Sequence, residues 1–208
     1  MTYNEFKKNY LVIGKKINWD GVADVQCVDL IKAMLECCFG VPCKKGQAAW
    51  GNAEAYYRCF NTKSWGGYEK LRPWLFKIKN TKEFVPLEGD ICVWGSGYSE
   101  NHDCGHIAIA TGEGNTKEFK VWEQNRKGKN DAIACNKQTY LKDFKGVLRP
   151  YYNTTADINV RSTPEMGNNI VKVMAKGTKV AVTEVKNGFG KIDTDCWISL
   201  KYTRIHTK

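Results

Sequence analysis

Nine cysteines and three histidines bound the nucleophilic chemistry open to this chain. One cysteine has an informative setting, the run Asn18-Trp19-Asp20-Gly21-Val22-Ala23-Asp24-Val25-Gln26-Cys27-Val28-Asp29-Leu30. Ile31, Met34, Leu35 and Cys38 then recur at helical spacing, which predicts an amphipathic helix from Cys27 to about Phe39, ended by Gly40. The Cys27 sulfur would sit in the first turn, beside unpaired N–H groups and the positive end of the helix dipole. A thiolate is favoured there, and the thiolate is the nucleophile. The competing reading is a small buried core residue, as most free cysteines are.

Hydrolysis of an amide by a thiolate also needs an imidazole to carry the proton, a polar group to orient it and donors for the oxyanion. His206 lies near the chain end, and His102 falls in the polar run Ser99-Glu100-Asn101-His102-Asp103. His106 opens an apolar run to Ala110, read as a strand on which His106, Ala108 and Ala110 share one face. The alanines would leave room for a ligand beside the histidine. A further strand from Glu118 to Asn125 puts Glu123 and Asn125 on one face, as candidates to orient the imidazole. Two rivals are weaker. His102, Cys104 and His106, with Cys37, Cys38 or Cys43, could bind zinc, but an alternating trio on one extended run converges poorly on a tetrahedral ion. Cys104 shares the His106 face but lacks a helix N-terminus.

Asn18, Asp20, Asp24 and Asp29 crowd negative charge beside Cys27, which alone disfavours a thiolate. A bound cation reverses that effect. Oxygen donors at alternate positions, with Gly21 allowing the turn, suit a calcium loop. The same residues also read as an ordinary Asp-Gly turn followed by a helix-starting acid.

The elements around these residues follow from periodicity and turn signals. A lead helix covers Asn4 to Tyr10, with a turn at Gly14-Lys15-Lys16. A loop follows the Cys27 helix through Pro42 and Gly46, and a weaker helix covers Ala53 to Phe60. After a turn from Lys63 to Gly67, Pro86 to Asp90 launches the strand Ile91-Cys92-Val93-Trp94, and Gly112 to Asn115 reads as a turn. Helices first and an antiparallel sheet after them make an α+β domain over 1–150. Beyond Pro150 come short β runs: Ile158 to Arg161, Ile170 to Met174, Thr178 to Val185, Phe189 to Ile192, and Trp197-Ile198. With turns at Lys176-Gly177 and Asn187-Gly188, they predict a small all-β barrel over 155–208.

The formal charge is +10 and the isoelectric point near 9.1. Attraction to polyanions follows, yet only Arg126-Lys127-Gly128-Lys129 resembles a basic patch and no basic helix appears. That disfavours nucleic acid and fits an anionic surface such as a bacterial cell wall. Seven tryptophans suit shallow grooves for peptides or sugars. The odd cysteine count without a CxxC pair implies reduced thiols. No apolar run is long enough for a signal peptide or a membrane span.

Gln26-Cys27-Val28-Asp29, Gly89-Asp90-Ile91-Cys92-Val93-Trp94, Gly105-His106-Ile107-Ala108-Ile109 and Glu123-Gln124-Asn125 together resemble the CHAP family of cysteine, histidine-dependent amidohydrolases and peptidases. The resemblance implies a papain-like (NlpC/P60-type) catalytic domain, helices packed on an antiparallel sheet. In it Cys27 is nucleophile, His106 general base and acid, Glu123 the orienting group, Asn125 a polar supporter and Gln26 an oxyanion contributor. In calcium-binding members the same spacing supplies Asn18, Asp20, the Val22 carbonyl, Asp24 and Asp29 as Ca²⁺ ligands; no organic cofactor is implied. Ile158 to Pro164, Lys176-Gly177-Thr178 and Trp197 to Tyr202 resemble a bacterial SH3-like wall-binding domain, with a short last hairpin at Asp193-Thr194-Asp195. The implied protein is a phage endolysin-like peptidoglycan hydrolase, either an N-acetylmuramoyl-L-alanine amidase or a peptide or cross-bridge endopeptidase. It would be a monomer made in the host cytoplasm without a signal peptide and acting at the wall after release, its partner peptidoglycan rather than nucleic acid or membrane. A catalytically dead wall binder and a cysteine protease acting on proteins are the alternatives.

Overall fold

The computed structural model describes residues 1–43, 51–62, 67–98, 104–126, 128, 130–140 and 143–208. The loop at Gly46, the turn at 63–66, the polar run 99–103 with His102, and Lys127 and Lys129 lie outside the described residues. The chain divides into one unit of Met1–Arg149 with Thr207–Lys208 and a second of Pro150–His206.

Three helices lead the first unit: α1 (Tyr3–Tyr10), α2 (Cys27–Phe39) and α3 (Ala53–Arg58). Thr2 and Glu5 form a reciprocal capping box that starts α1. In α2, Leu30, Ile31, Met34, Leu35, Cys38 and Phe39 are all buried. Gly40 ends it at φ 67°, where Val41 N–H bonds Leu35 O and Gly40 N–H bonds Glu36 O. This is the paired closure that a left-handed residue permits and a Cβ would penalise.

Six strands follow: β1 (Leu75–Lys79), β2 (Ile91–Trp94), β3 (His106–Gly114), β4 (Glu118–Glu123), β5 (Ala134–Thr139) and β6 (Phe144–Pro150). They form one sheet in the order β1-β6-β2-β3-β4-β5, with α2 and α3 packed on β3. The pairs from β6 through β5 are antiparallel. Three of these strands, β1, β5 and β6, lie outside the runs predicted as strands. β5 is largely polar, and β1 has no clean alternation. The predicted turn at Gly112–Asn115 is instead the end of β3, where the register with β4 shifts between Ala110 and Gly114. A bulge there lets Gly112, at φ 85°, continue the strand.

The face shared by Ala108 and Ala110 meets a cluster of Cys92, Trp94, Phe119, Val121, Phe144 and Val147. The space expected for a ligand beside these alanines is therefore filled by aromatic rings. The alanines are small because Trp94 and Phe119 stack at 6.1 Å in the same layer.

Beneath the β2–β6 pair, Arg149 donates through Nε to both Asp90 oxygens, at 2.9 and 3.1 Å, and through Nη2 to Oδ2 at 2.7 Å. Both side chains are buried, and burial pushes the Asp90 carboxyl up even against the arginine charge. Removing one partner strands the other's charge. Arg149→Met is expected to cost about 3–5 kcal/mol in urea unfolding.

The second unit is all β apart from one 3₁₀ turn at Leu200–Tyr202. Its strands are β7 (Tyr152–Thr154), β8 (Ile158–Arg161), β9 (Ile170–Met174), β10 (Lys179–Val180), β11 (Glu184–Lys186), β12 (Phe189–Asp193), β13 (Cys196–Ser199) and β14 (Thr203–Ile205). They make two antiparallel sheets, β10-β7-β14 and β11-β12-β13-β8-β9. Asn187 and Gly188, at φ 52° and 76°, form the hairpin between β11 and β12, as the dipeptide predicts. The run Thr178 to Val185 is two strands, not one. Among the described residues no helix is long and apolar enough to cross a membrane.

Candidate active site

Two elements bring the candidate chemistry together. Gln26 is the extended N-cap of α2, and Asp29 Oδ2 accepts from Gln26 N–H at 2.9 Å, so Cys27 is the first helical residue. Its side chain is half-buried and its thiol unpaired by any disulfide. His106 is the first residue of β3. The preceding Gly105 has φ 73° and passes so close to Trp94 O that a Cβ would stand 2.3 Å from it. Only glycine allows the chain to enter the strand there and aim the imidazole.

His106 is 2% exposed. Its Nε2 lies 2.8 Å from Glu123 Oε2, and a second hydrogen bond joins the ring to the Cys27 side chain. With Nε2 engaged, Nδ1 is the atom left for the thiol. Burial, the largest single influence, lowers the pKa of the ring. The hydrogen bonds to Cys27 and Glu123 and their negative charges together outweigh it and raise the imidazole to about 9. Tyr98 stacks on the imidazole at 4.7 Å and Trp94 flanks it at 5.7 Å, shutting water from its faces.

Glu123 ends β4 and is itself held from β5. Gln138 Nε2 donates to both carboxylate oxygens, at 3.0 and 2.9 Å, and Asn136 Nδ2 donates to Oε1 at 2.8 Å. The register Val121↔Asn136 and Phe119↔Gln138 puts these two amides on the Glu123 face. Arg126 Nε stands 3.7 Å from Oε1. Asn136 and Gln138 were not anticipated, because β5 itself was not legible.

Asn125 does not share a strand face with Glu123. β4 stops at Glu123, and Asn125 turns off at φ 51°. Its Oδ1 accepts from Asn130 N–H at 2.9 Å, closing the loop that follows. The Gln26 amide reaches Ala23 O at 3.5 Å. The neighbouring Gln124 was passed over, yet it is buried and ties the two halves of the site together. Its Nε2 donates to Gln26 O at 2.6 Å and Ile17 O at 2.8 Å, and its Oε1 accepts from Ile17 N–H at 3.3 Å. Gln124→Ala leaves the Ile17 N–H and C=O without this partner, while Gln26 O keeps Asp29 N–H at 3.1 Å. It is expected to lower stability by about 2–4 kcal/mol in thermal unfolding, at 1–3 kcal/mol for each unsatisfied group.

The other cysteines have different settings. Burial pushes the Cys38 thiol up to about 12 and that of Cys92 well above its ordinary value. Cys104 is exposed in a turn. His206 pairs with Asn153 in the second unit. For the zinc reading, His102 lies outside the described residues. Among those described, no three His, Cys, Asp or Glu side chains gather as a metal site.

The proposed calcium ligands do not converge either. Asn18 is exposed. Asp24 Oδ2 accepts from Asn130 at 2.6 Å. Asp20 Oδ1 accepts from Val22 N–H at 2.9 Å, and its Oδ2 from Lys32 Nζ at 2.6 Å. Asp29 lies under the same ammonium, at 3.8 Å. Burial raises the Asp20 carboxyl, but the Lys32 hydrogen bond, the Val22 N–H and the lysine charge outweigh it and hold the group below the usual range. In this arrangement the donor set does not fit a resident calcium ion, because a lysine already neutralises it.

No protein-family model matches the chain, and no curated protein matches it. Among solved structures it is similar to the wild-type endolysin LysIME-EF1, at TM-score 0.53 and 24% identity over 72% of this chain. The match spans 64% of that chain, less than two thirds of its length. Two structures of Ly7917 also match, at TM-scores of 0.28 and 0.46 and identities of 14% and 16%. The first covers 62% of this chain and 66% of that one, and the second, with a hydrolysis product of MDP, covers all of both. The likeness to LysIME-EF1 is one of fold: a mixed α/β chain with antiparallel sheets and few helices.

Proposed function

We propose that this chain is a peptidoglycan hydrolase that cleaves an amide bond of the bacterial wall through a Cys27 thiolate. Residues 1–150 would form a papain-like, CHAP-type catalytic domain and 155–208 an SH3-like domain that holds the enzyme on its substrate. The observation that carries the reading is the His106 ring, hydrogen-bonded to Cys27 on one side and to Glu123 on the other. The fold likeness to an endolysin supports the choice of substrate, and the positive charge suits an anionic wall.

The chemistry follows from the geometry. His106 takes the thiol proton, and Cys27 Sγ attacks the amide carbon. The developing oxyanion lies at the N-terminus of α2, where backbone N–H groups are unpaired. As the C–N bond breaks, His106 returns its proton to the leaving amine. A water molecule, deprotonated by the same ring, then attacks the thioester. The C–S bond breaks, giving a free acid and the regenerated thiol. Glu123, fixed by Gln138 and Asn136, orients the ring and stabilises its charged form. The second unit would raise the local concentration of wall rather than alter the reaction.

Digestion of purified peptidoglycan with mass spectrometry of the fragments tests this reading. New amino termini at alanine beside intact muramic acid identify an amidase; termini within the peptides identify an endopeptidase. Wall that is bound but uncut would indicate a binder, and digestion of casein with uncut wall a general protease. Either would overturn the proposal.

A further inference from the structure

Arg126 opens the one basic run of the sequence, in the turn that follows Glu123, and its side chain is 40% exposed. Its Nε lies 3.7 Å from Glu123 Oε1, beyond hydrogen-bond reach, and that oxygen already accepts from Asn136 and Gln138. A hydrogen bond to the Tyr98 hydroxyl holds the guanidinium instead. Tyr98 in turn stacks on the His106 ring at 4.7 Å and accepts from Gln138 Nε2 at 3.2 Å. A guanidinium carries five N–H donors in a planar fork that matches a carboxylate. Among the described residues no carboxylate oxygen comes within hydrogen-bond distance of this one. Arg126 is thus braced against the His106 ring through Tyr98, with its fork left open.

We propose that Arg126 and Tyr98 form a subsite on the leaving-group side of the cleft, which selects a peptide carrying a carboxylate. The assignment rests on the thiolate hydrolysis proposed for Cys27. There His106 hands its proton to the leaving nitrogen, so that nitrogen stands on the imidazole side of Cys27 Sγ. The chain that departs with it runs past the ring that Tyr98 covers. Arg126 lies at the far end of that ring, beside Glu123. One imidazole, one carboxylate and the contacts joining them separate the sulfur from the guanidinium by ~10 Å, about three residues of extended chain. The carboxylate recognised therefore lies about two or three residues beyond the cut bond. Two N–H groups of the fork bind it side by side, and the Tyr98 ring packs on the chain between. Wall peptides with a free carboxylate at that place are cut in preference to those amidated there.

The test compares the full-length wild type, Arg126→Gln and Arg126→Lys on two preparations of solubilised wall fragments. One keeps its free carboxylates, and the other has them amidated with carbodiimide and ammonia. Release of new amino termini gives kcat and KM for each pair. Amidation is expected to lower kcat/KM of the wild type about tenfold or more, the effect of one hydrogen bond between charged groups. In Arg126→Gln the KM for unmodified fragments should rise about tenfold with kcat within about twofold, as for a lost binding contact, and amidation should cost little further. Arg126→Lys, which keeps the charge without the fork, should fall between. A residue that only tuned Glu123 would instead lower kcat and move the alkaline limb of the pH profile, with KM unchanged. That result would overturn the subsite, as would an amidation penalty equal in the wild type and Arg126→Gln, or an Arg126→Gln that does not fold. A wild type that cuts both preparations equally overturns the subsite alone, whereas one that cuts neither overturns the hydrolase reading as well.

Discussion

Cys27→Ala is expected to leave a folded protein that no longer clears a suspension of susceptible cells, with the rate reduced by on the order of 10⁴-fold or more. Losses of this size are usual when the nucleophile of a catalytic unit is removed, because its members act together. The change deletes one sulfur from a half-buried site in the first turn of α2, where no backbone hydrogen bond depends on it. Unfolding free energy should therefore move by about 1 kcal/mol or less. Turbidity loss and a thermal melt on the same preparation separate the two effects. Neither Cys38 nor Cys92 can take over, since burial holds both thiols protonated. Clearing at the wild-type rate by the variant would remove the thiolate from the mechanism.

Glu123→Gln carries the second large effect and changes two observables at once. The substitution removes the charge that favours protonated His106 and sets an amide against Gln138 or Asn136, both of which already donate. Activity should fall about 10²–10⁴-fold, the range for loss of proton transfer by a positioned group. The pH dependence should move as well. In the folded protein His106 is raised to about 9 from an ordinary 6.5, so folding strengthens its hold on the proton. Stability from this source is fully present below pH 6.5 and lost as pH rises through about 9. Activity that needs the imidazolium to protonate the leaving amine should decline over the same alkaline range. In Glu123→Gln both alkaline limbs should shift toward neutrality. A profile that keeps its shape while losing amplitude would mean that Glu123 does not set the charge of the ring.

The parts of this arrangement legible in the sequence were those with strong local signals. The apolar spacing after Cys27 and the glycine at position 40 set both ends of α2. Ile91–Trp94 was legible from its turn and its unbroken apolar run, and the Asn187-Gly188 hairpin from its dipeptide. What escaped depended on partners distant in the chain. β5 reads as polar because its inward side chains, Asn136 and Gln138, face a carboxylate instead of a hydrocarbon core. Strand alternation placed Asn125 beside Glu123, but the left-handed turn that ends β4 is a local event that the period of two does not register. Gln124 looked like a spacer between two candidates. Its value lies in Ile17 and Gln26, both about a hundred residues earlier. Lys32 fell on the apolar helix that carries the nucleophile, and its contact with Asp20 joins residues twelve apart across a turn whose path the sequence leaves open.

An imidazole shared between the Cys27 thiol and the Glu123 carboxylate is the claim on which the rest stands, and NMR titration of the histidine ring protons measures it directly. With only three histidines, His106 is assigned by comparison with His106→Gln. The expected result is a wild-type ring titrating near pH 9, with lower midpoints in both Cys27→Ala and Glu123→Gln. A His106 that titrates at or below 6.5, with the same midpoint in all three proteins, would contradict the account.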